Sequence, residues 1–189
     1  YLLGVEASVR RFAIIASQGR GSQMLCTVQA VDAFLAADKT LVGDGDWVCD
    51  PNEDQCRLKY TIALNGIPTG ATFEVIDFPL ERPRGFTLTL NLPPCVWRLD
   101  FDHPPKGHTN DVPDGHECPR LLSGPHYHPW RLNSQFHLGK RPPDMLPLAL
   151  PLPQGIKSFK TALAWFCAET RITFAKGQLP ELPPRGRLI

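Results

Sequence analysis

The strongest constraint on this chain's fold is an alternation of apolar and polar residues with period two, recurring between positions 56 and 101. In CRLKYTIALN (56–65), Leu58, Tyr60, Ile62 and Leu64 alternate with Lys59, Thr61 and Ala63. In GFTLTLNL (85–92), Phe86, Leu88, Leu90 and Leu92 alternate with Thr87, Thr89 and Asn91. Successive side chains of a strand point to opposite faces, so each run buries one face and wets the other. Each run has a partner: ATFEVIDF (71–78) follows the first through GIPTG, and VWRLDF (96–101) follows the second through PPC. An earlier hairpin is expected from VRRFAIIA (9–16) and MLCTVQAV (24–31) around the glycine-bearing turn SQGRGS. Residues 33–39 read as a short helix or as the exit of that second strand, and 40–54 as loop. The sum is an antiparallel meander.

One helix is expected late, over 156–169. Ile156, Phe159, Leu163, Phe166 and Cys167 fall on one helical face, and Ser158 is placed to cap the start. Trp165 lies off that stripe, which wider burial of the helix would explain. The expected fold is α+β: an antiparallel β-meander sheet packed by one C-terminal amphipathic helix, with a long histidine-rich loop. Residues 1–176 are expected to form one domain, with the loop at 102–141. The stretch GQLPELPPRGRLI (177–189) reads as an exposed proline-rich tail, linker or docking segment. Twenty prolines, concentrated in the C-terminal half, predict ordered extended segments outside helix and sheet.

The chain of 189 residues is long enough to bury a sizeable core. A net charge of +1 gives no bulk attraction to nucleic acid or anionic lipid. No apolar run approaches the roughly 18 residues of a membrane span. The opening YLLGVEASVRRF lacks the pattern of a signal peptide. Six cysteines are too sparse for a small disulfide scaffold, and CDPNEDQC (49–56) reads as an acidic surface loop rather than a disulfide or metal site. A cytoplasmic protein without a membrane partner is expected.

Chemistry is expected at the histidines. All six (His103, His108, His116, His126, His128 and His137) fall within 35 residues, interleaved with Asp102, Asp111, Asp114, Glu117 and Cys118. In an extended segment His126 and His128 face the same way, as two ligands of one ion would. His103, His126, His128 and Cys118 are the candidate ligands, with zinc the ion suited to His, Cys and carboxylate donors. Neither C-x-x-C nor H-E-x-x-H is present. A second chemistry is metal-free cleavage of RNA. There His108, His126 and His128 would move protons, Asp114 or Asp102 would orient a ring, and Arg98, Arg120 or Arg131 would hold phosphate. Five acids against two bases over 100–128 work against a polyanionic substrate. The third reading is structural: histidines and asparagines of a proline-rich loop satisfy backbone groups where no strand ladder is available.

The pieces RLDFD (98–102), HTNDVPDG (108–115), GPHYH (124–128) and PLALPLP (147–153), with the helix ending near Thr173, carry a family likeness. They resemble an uncharacterised bacterial domain family with an H-x-N-P-D-G-like turn and a G-P-H-x-H block. That resemblance implies one compact domain in which His108, Asp114, His126 and His128 converge. The layout is also similar to small toxins of toxin–antitoxin modules, which implies a bacterial toxin- or defence-type protein acting on nucleic acid. Its protein partner would be an antitoxin or complex subunit. The alternative is a non-enzymatic binding or assembly protein whose loop is held by structural zinc or by hydrogen bonds.

Overall fold

The computed structural model describes residues 27–52, 54–93, 95–113, 115–136 and 146–184. The expected strand at 9–16 lies outside them, and so do Asp114 and His137. The fold is mixed α+β. A nine-stranded sheet runs in the order β10-β9-β6-β5-β4-β3-β1-β11, with β2 also pairing with β3. Its centre is the expected meander: β3 (Cys56–Leu64), β4 (Ile67–Phe78), β5 (Gly85–Asn91) and β6 (Cys95–Phe101). The flanking strands are β1 (Lys39–Val42), β2 (Trp47–Cys49), β9 (His126–His128), β10 (Leu150–Pro151) and β11 (Ile172–Thr173). Every neighbouring pair is antiparallel except β1 with β11. The turn between β3 and β4 is tighter than GIPTG suggested. Asn65 and Gly66 both take positive φ, the two-residue Asn-Gly hairpin turn, and Ile67–Gly70 already belong to β4, with a register shift between the Ala63–Pro68 and Thr61–Thr72 pairs.

Helix α3 (Phe159–Thr170) lies against one sheet face. Its N-terminus is closed by reciprocal bonds between Ser158 and Thr161. Phe166 packs on Phe73 and Trp97, and Phe159 meets Phe86 edge-on. Trp165 packs against Trp97 and Tyr127, so the helix is buried more widely than its apolar stripe. Helix α1 (Val28–Ala36) corrects the strand expected at 24–31 over its last four residues. Thr27 caps it by accepting from Ala30 N–H, and Val31 and Phe34 bury at helical spacing. At the C-terminal ends of α1 and α3 the buried Lys39 ammonium donates to the carbonyls of Leu35, Ala37 and Thr170.

Two further expectations change. Cys49 and Cys56 form a disulfide, not an open loop. They are direct cross-strand partners of β2 and β3, which brings their side chains together. The proline-rich segment is docked, at least through its described part. Trp47 Nε1 donates to Glu181 O, Tyr60 Oη to Gln178 O, and Arg84 to Pro183 O. Arg84 also holds the fully buried Asp77 carboxylate through two bonds, at 2.7 and 2.5 Å. Among the described residues no helix is long and apolar enough to cross a membrane.

Between β6 and β9 the chain leaves the sheet. It forms a separate two-stranded hairpin, β7 (Gly107–Thr109) with β8 (Leu121–Ser123), and returns. After β9 come a short helix, α2 (Trp130–Asn133), and a 3-10 turn, Ser134–Phe136. Two buried asparagines fasten the extended segment 146–149 to this excursion. Asn110 accepts from Ala149 N–H and donates to Ala149 O and Pro119 O, and Asn133 accepts from Leu148 N–H and donates to Leu148 O and Pro129 O. The structural reading of the loop is thus realised by asparagines, and by histidines that also bond backbone groups.

Candidate metal centre

Register builds the centre. On the face away from α3, antiparallel pairing makes Asp100 the cross-strand partner of His126, and Arg98 the partner of His128. The next strand inward adds Thr87 opposite Asp100. Tyr127, between the two histidines, points to the other face and stacks on Trp97. The hairpin then brings in His108. One ring nitrogen from each of His108, His126 and His128 lies within 4.8 Å of one from each of the others, so the three could hold a metal ion. His126 and His128 are each 1% exposed, while His108 is half-buried.

Hydrogen bonds fix the tautomers. Backbone carbonyls only accept, so each ring nitrogen facing one carries the proton. His126 Nδ1–H donates to Gly124 O (2.9 Å), His128 Nδ1–H to Leu146 O (2.7 Å) and His108 Nε2–H to Pro147 O (2.8 Å). In the neutral rings this leaves lone pairs on Nε2 of His126, Nε2 of His128 and Nδ1 of His108. Metal-binding histidines are oriented in this way, with the second nitrogen given to a backbone carbonyl or carboxylate.

Asp100 stands beside this group. Its Oδ2 is 3.5 Å from His126 Nε2 and 3.2 Å from His128 Nε2. Arg98 Nε donates to the same oxygen at 2.6 Å, and Thr87 Oγ1 donates to Oδ1 at 2.8 Å. Despite its proximity to Asp100, His128 Nε2 is buried and has no hydrogen-bond partner. Burial lowers the His128 pKa, so the ring favours its neutral form, although Asp100 opposes the shift. Burial alone would raise Asp100, but the His128 ring, whenever it carries a second proton, and the Arg98 guanidinium outweigh it and hold the carboxyl at about 2. A carboxylate and two imidazole lone pairs therefore converge on one buried spot with too few protons among them.

The other candidates lie elsewhere. His103 Nε2–H donates to Arg84 O and its ring meets Phe101 edge-on. Cys118 is buried with Leu132 and Leu148 in a small second core, outside the histidine group. His116 is exposed and accepts from Cys118 N–H. Arg131 is exposed and paired with Glu117 at 3.3 Å. Asp102 is half-buried, its pKa raised by burial and by Asp100.

Comparison with protein-family models, curated proteins and solved structures returned no match. The bacterial domain likeness therefore rests on the motifs themselves. Asp100 and Thr87 were the functional candidates the sequence reading passed over. The available signal was a lone acid breaking the apolar run of VWRLDF on the same strand face as Arg98.

Proposed function

We propose that this protein is a metal-binding protein in which one zinc-class divalent ion ties the β7–β8 hairpin to the main sheet through His108, His126 and His128. The observation that carries this reading is the buried, partnerless Nε2 of His128, set beside an ionised carboxylate. A buried polar atom without a partner is costly, and a cation at that point supplies what the lone pairs lack. The donor types suit zinc. The ion's role is structural: it closes an excursion that otherwise rests on a small core and two asparagines.

The toxin- or defence-type nuclease expected from the sequence has less beneath it. Of the three arginines expected to hold phosphate, Arg98 is paired with Asp100 and Arg131 with Glu117, while Arg120 is exposed. The cytoplasmic expectation is weakened too, because the Cys49–Cys56 bond belongs with an oxidising compartment.

The test is zinc added to chelator-treated protein purified without a histidine tag. One equivalent should bind per chain. At a free concentration of 100 Kd the ion should stabilise the fold by about 2.7 kcal/mol, a Tm rise of roughly 5–11 °C for a chain of this size. An unchanged Tm at saturating zinc overturns the proposal. Zinc-dependent cleavage of single-stranded RNA by the same preparation would restore the nuclease reading.

A further inference from the structure

We infer that Asp100 is itself a ligand, completing a three-histidine, one-aspartate shell around the ion; this rests on the metal-binding reading above. Zinc bonds to nitrogen and oxygen of about 2.0–2.1 Å set the edges of a tetrahedron of donors at about 3.3–3.4 Å. The distances from Asp100 Oδ2 to the two histidine nitrogens, 3.2 and 3.5 Å, bracket that edge. The relation of Oδ2 to His128 also fits co-ligands better than a hydrogen-bonded pair. The atoms are in contact range, yet Nε2 makes no hydrogen bond, and its ring proton is already spent on Leu146 O.

The carboxylate is oriented as ligands are. Thr87 Oγ1 holds Oδ1, and Arg98 Nε steadies Oδ2 from the same strand. Three of the four donors thus stand on β6 and β9, two strands fixed in register by the sheet; His108 arrives from the hairpin, close to the two histidines, and has to close on Asp100 when the ion binds. Four protein donors fill a tetrahedral shell, the arrangement of structural rather than catalytic zinc.

Cobalt(II) titration separates the possibilities, because four-coordinate cobalt absorbs visible light far more strongly than six-coordinate cobalt. The wild-type chain should take one equivalent with the strong four-coordinate spectrum. Asp100→Asn, which keeps the size and polarity of the side chain, should weaken binding by at least about 10–100-fold and lose that spectrum. Asp100→Glu guards against a fold defect: it retains the charge, displaces the oxygen, and should bind cobalt with an altered spectrum. If both variants bind with wild-type affinity and spectrum, Asp100 is not a ligand although the histidine site stands. If the wild-type chain takes up neither cobalt nor zinc, the metal-binding reading fails as a whole.

Discussion

Replacing His128 by alanine should cost stability even with no metal present, and the structure gives the size of the loss. The ring is 1% exposed and its Nδ1–H is the partner of the Leu146 carbonyl. Removing the donor strands a buried acceptor, which costs about 1–3 kcal/mol. The space vacated by the ring adds about 2 kcal/mol, at the low end for large-to-small changes in a core. Together these give about 3–5 kcal/mol, a substantial part of the 5–15 kcal/mol typical of a folded domain. For a chain of this length each kcal/mol lowers Tm by about 2–4 °C, so a fall of roughly 6–20 °C is expected. Thermal melts followed by circular dichroism in excess chelator measure it free of any bound ion. A fall below about 3 °C would refute the claim that His128 carries structure as well as a ligand atom, since the two contributions together start at about 6 °C. The practical corollary is that lost metal uptake in this variant cannot be assigned to ligation until the chelated melt is known.

Three other outcomes follow from specific contacts. Gly107→Ala would push a methyl into the Leu122 carbonyl across the hairpin, displacing the adjacent His108; zinc affinity should fall, and unchanged affinity would count against the hairpin's role in positioning the ligand. Arg84→Met leaves the buried Asp77 carboxylate unpaired, a loss of about 3–5 kcal/mol that chemical denaturation should detect; a change under about 1 kcal/mol would show that Asp77 finds another partner. Asp100 titrates lower in the folded chain (about 2) than its unfolded value near 4, so its stabilising contribution is complete above about pH 4 and disappears as pH falls through 2. That contribution is about 2–3 kcal/mol, and Asp100→Asn should flatten the acid limb of the stability curve by that amount; an equally steep limb in the variant would dismiss it.

The sheet was legible because a strand with one wet face writes its period into the residues. The runs at 56–65, 71–78, 85–92 and 96–101 correspond to β3 through β6, and Ser158 caps the helix where its side chain suggested. Only the end of the helix at Val28–Ala36 was open to a helical reading, and its first four residues read as strand, because its valines and alanines suit either state. What decides is a Thr27 cap and the burial of Val31 and Phe34 against the sheet. The pairing of His126 with His128 could be read from spacing alone. His108 was expected beside them only through the motif likeness, and the arrival of Asp100 could not be read at all, because cross-strand register is set by tertiary contacts. The Cys49–Cys56 bond was hidden for the same reason: a six-residue gap says nothing until β2 folds back on β3.

The two asparagines that fasten segment 146–149 also bear on how the molecule avoids its own kind. Among the described residues β10 is the outermost strand on its side of the sheet, where unpaired backbone groups invite a strand from another molecule. Here the strand is two residues long and ends in Pro151, which has no N–H to offer. Just before it, the N–H and C=O groups of Leu148 and Ala149 are already taken by Asn133 and Asn110. The Asn110 amide thus occupies the positions a neighbouring strand would use at Ala149, and among the described residues this border of the sheet is guarded against edge-to-edge pairing without a further strand to cover it.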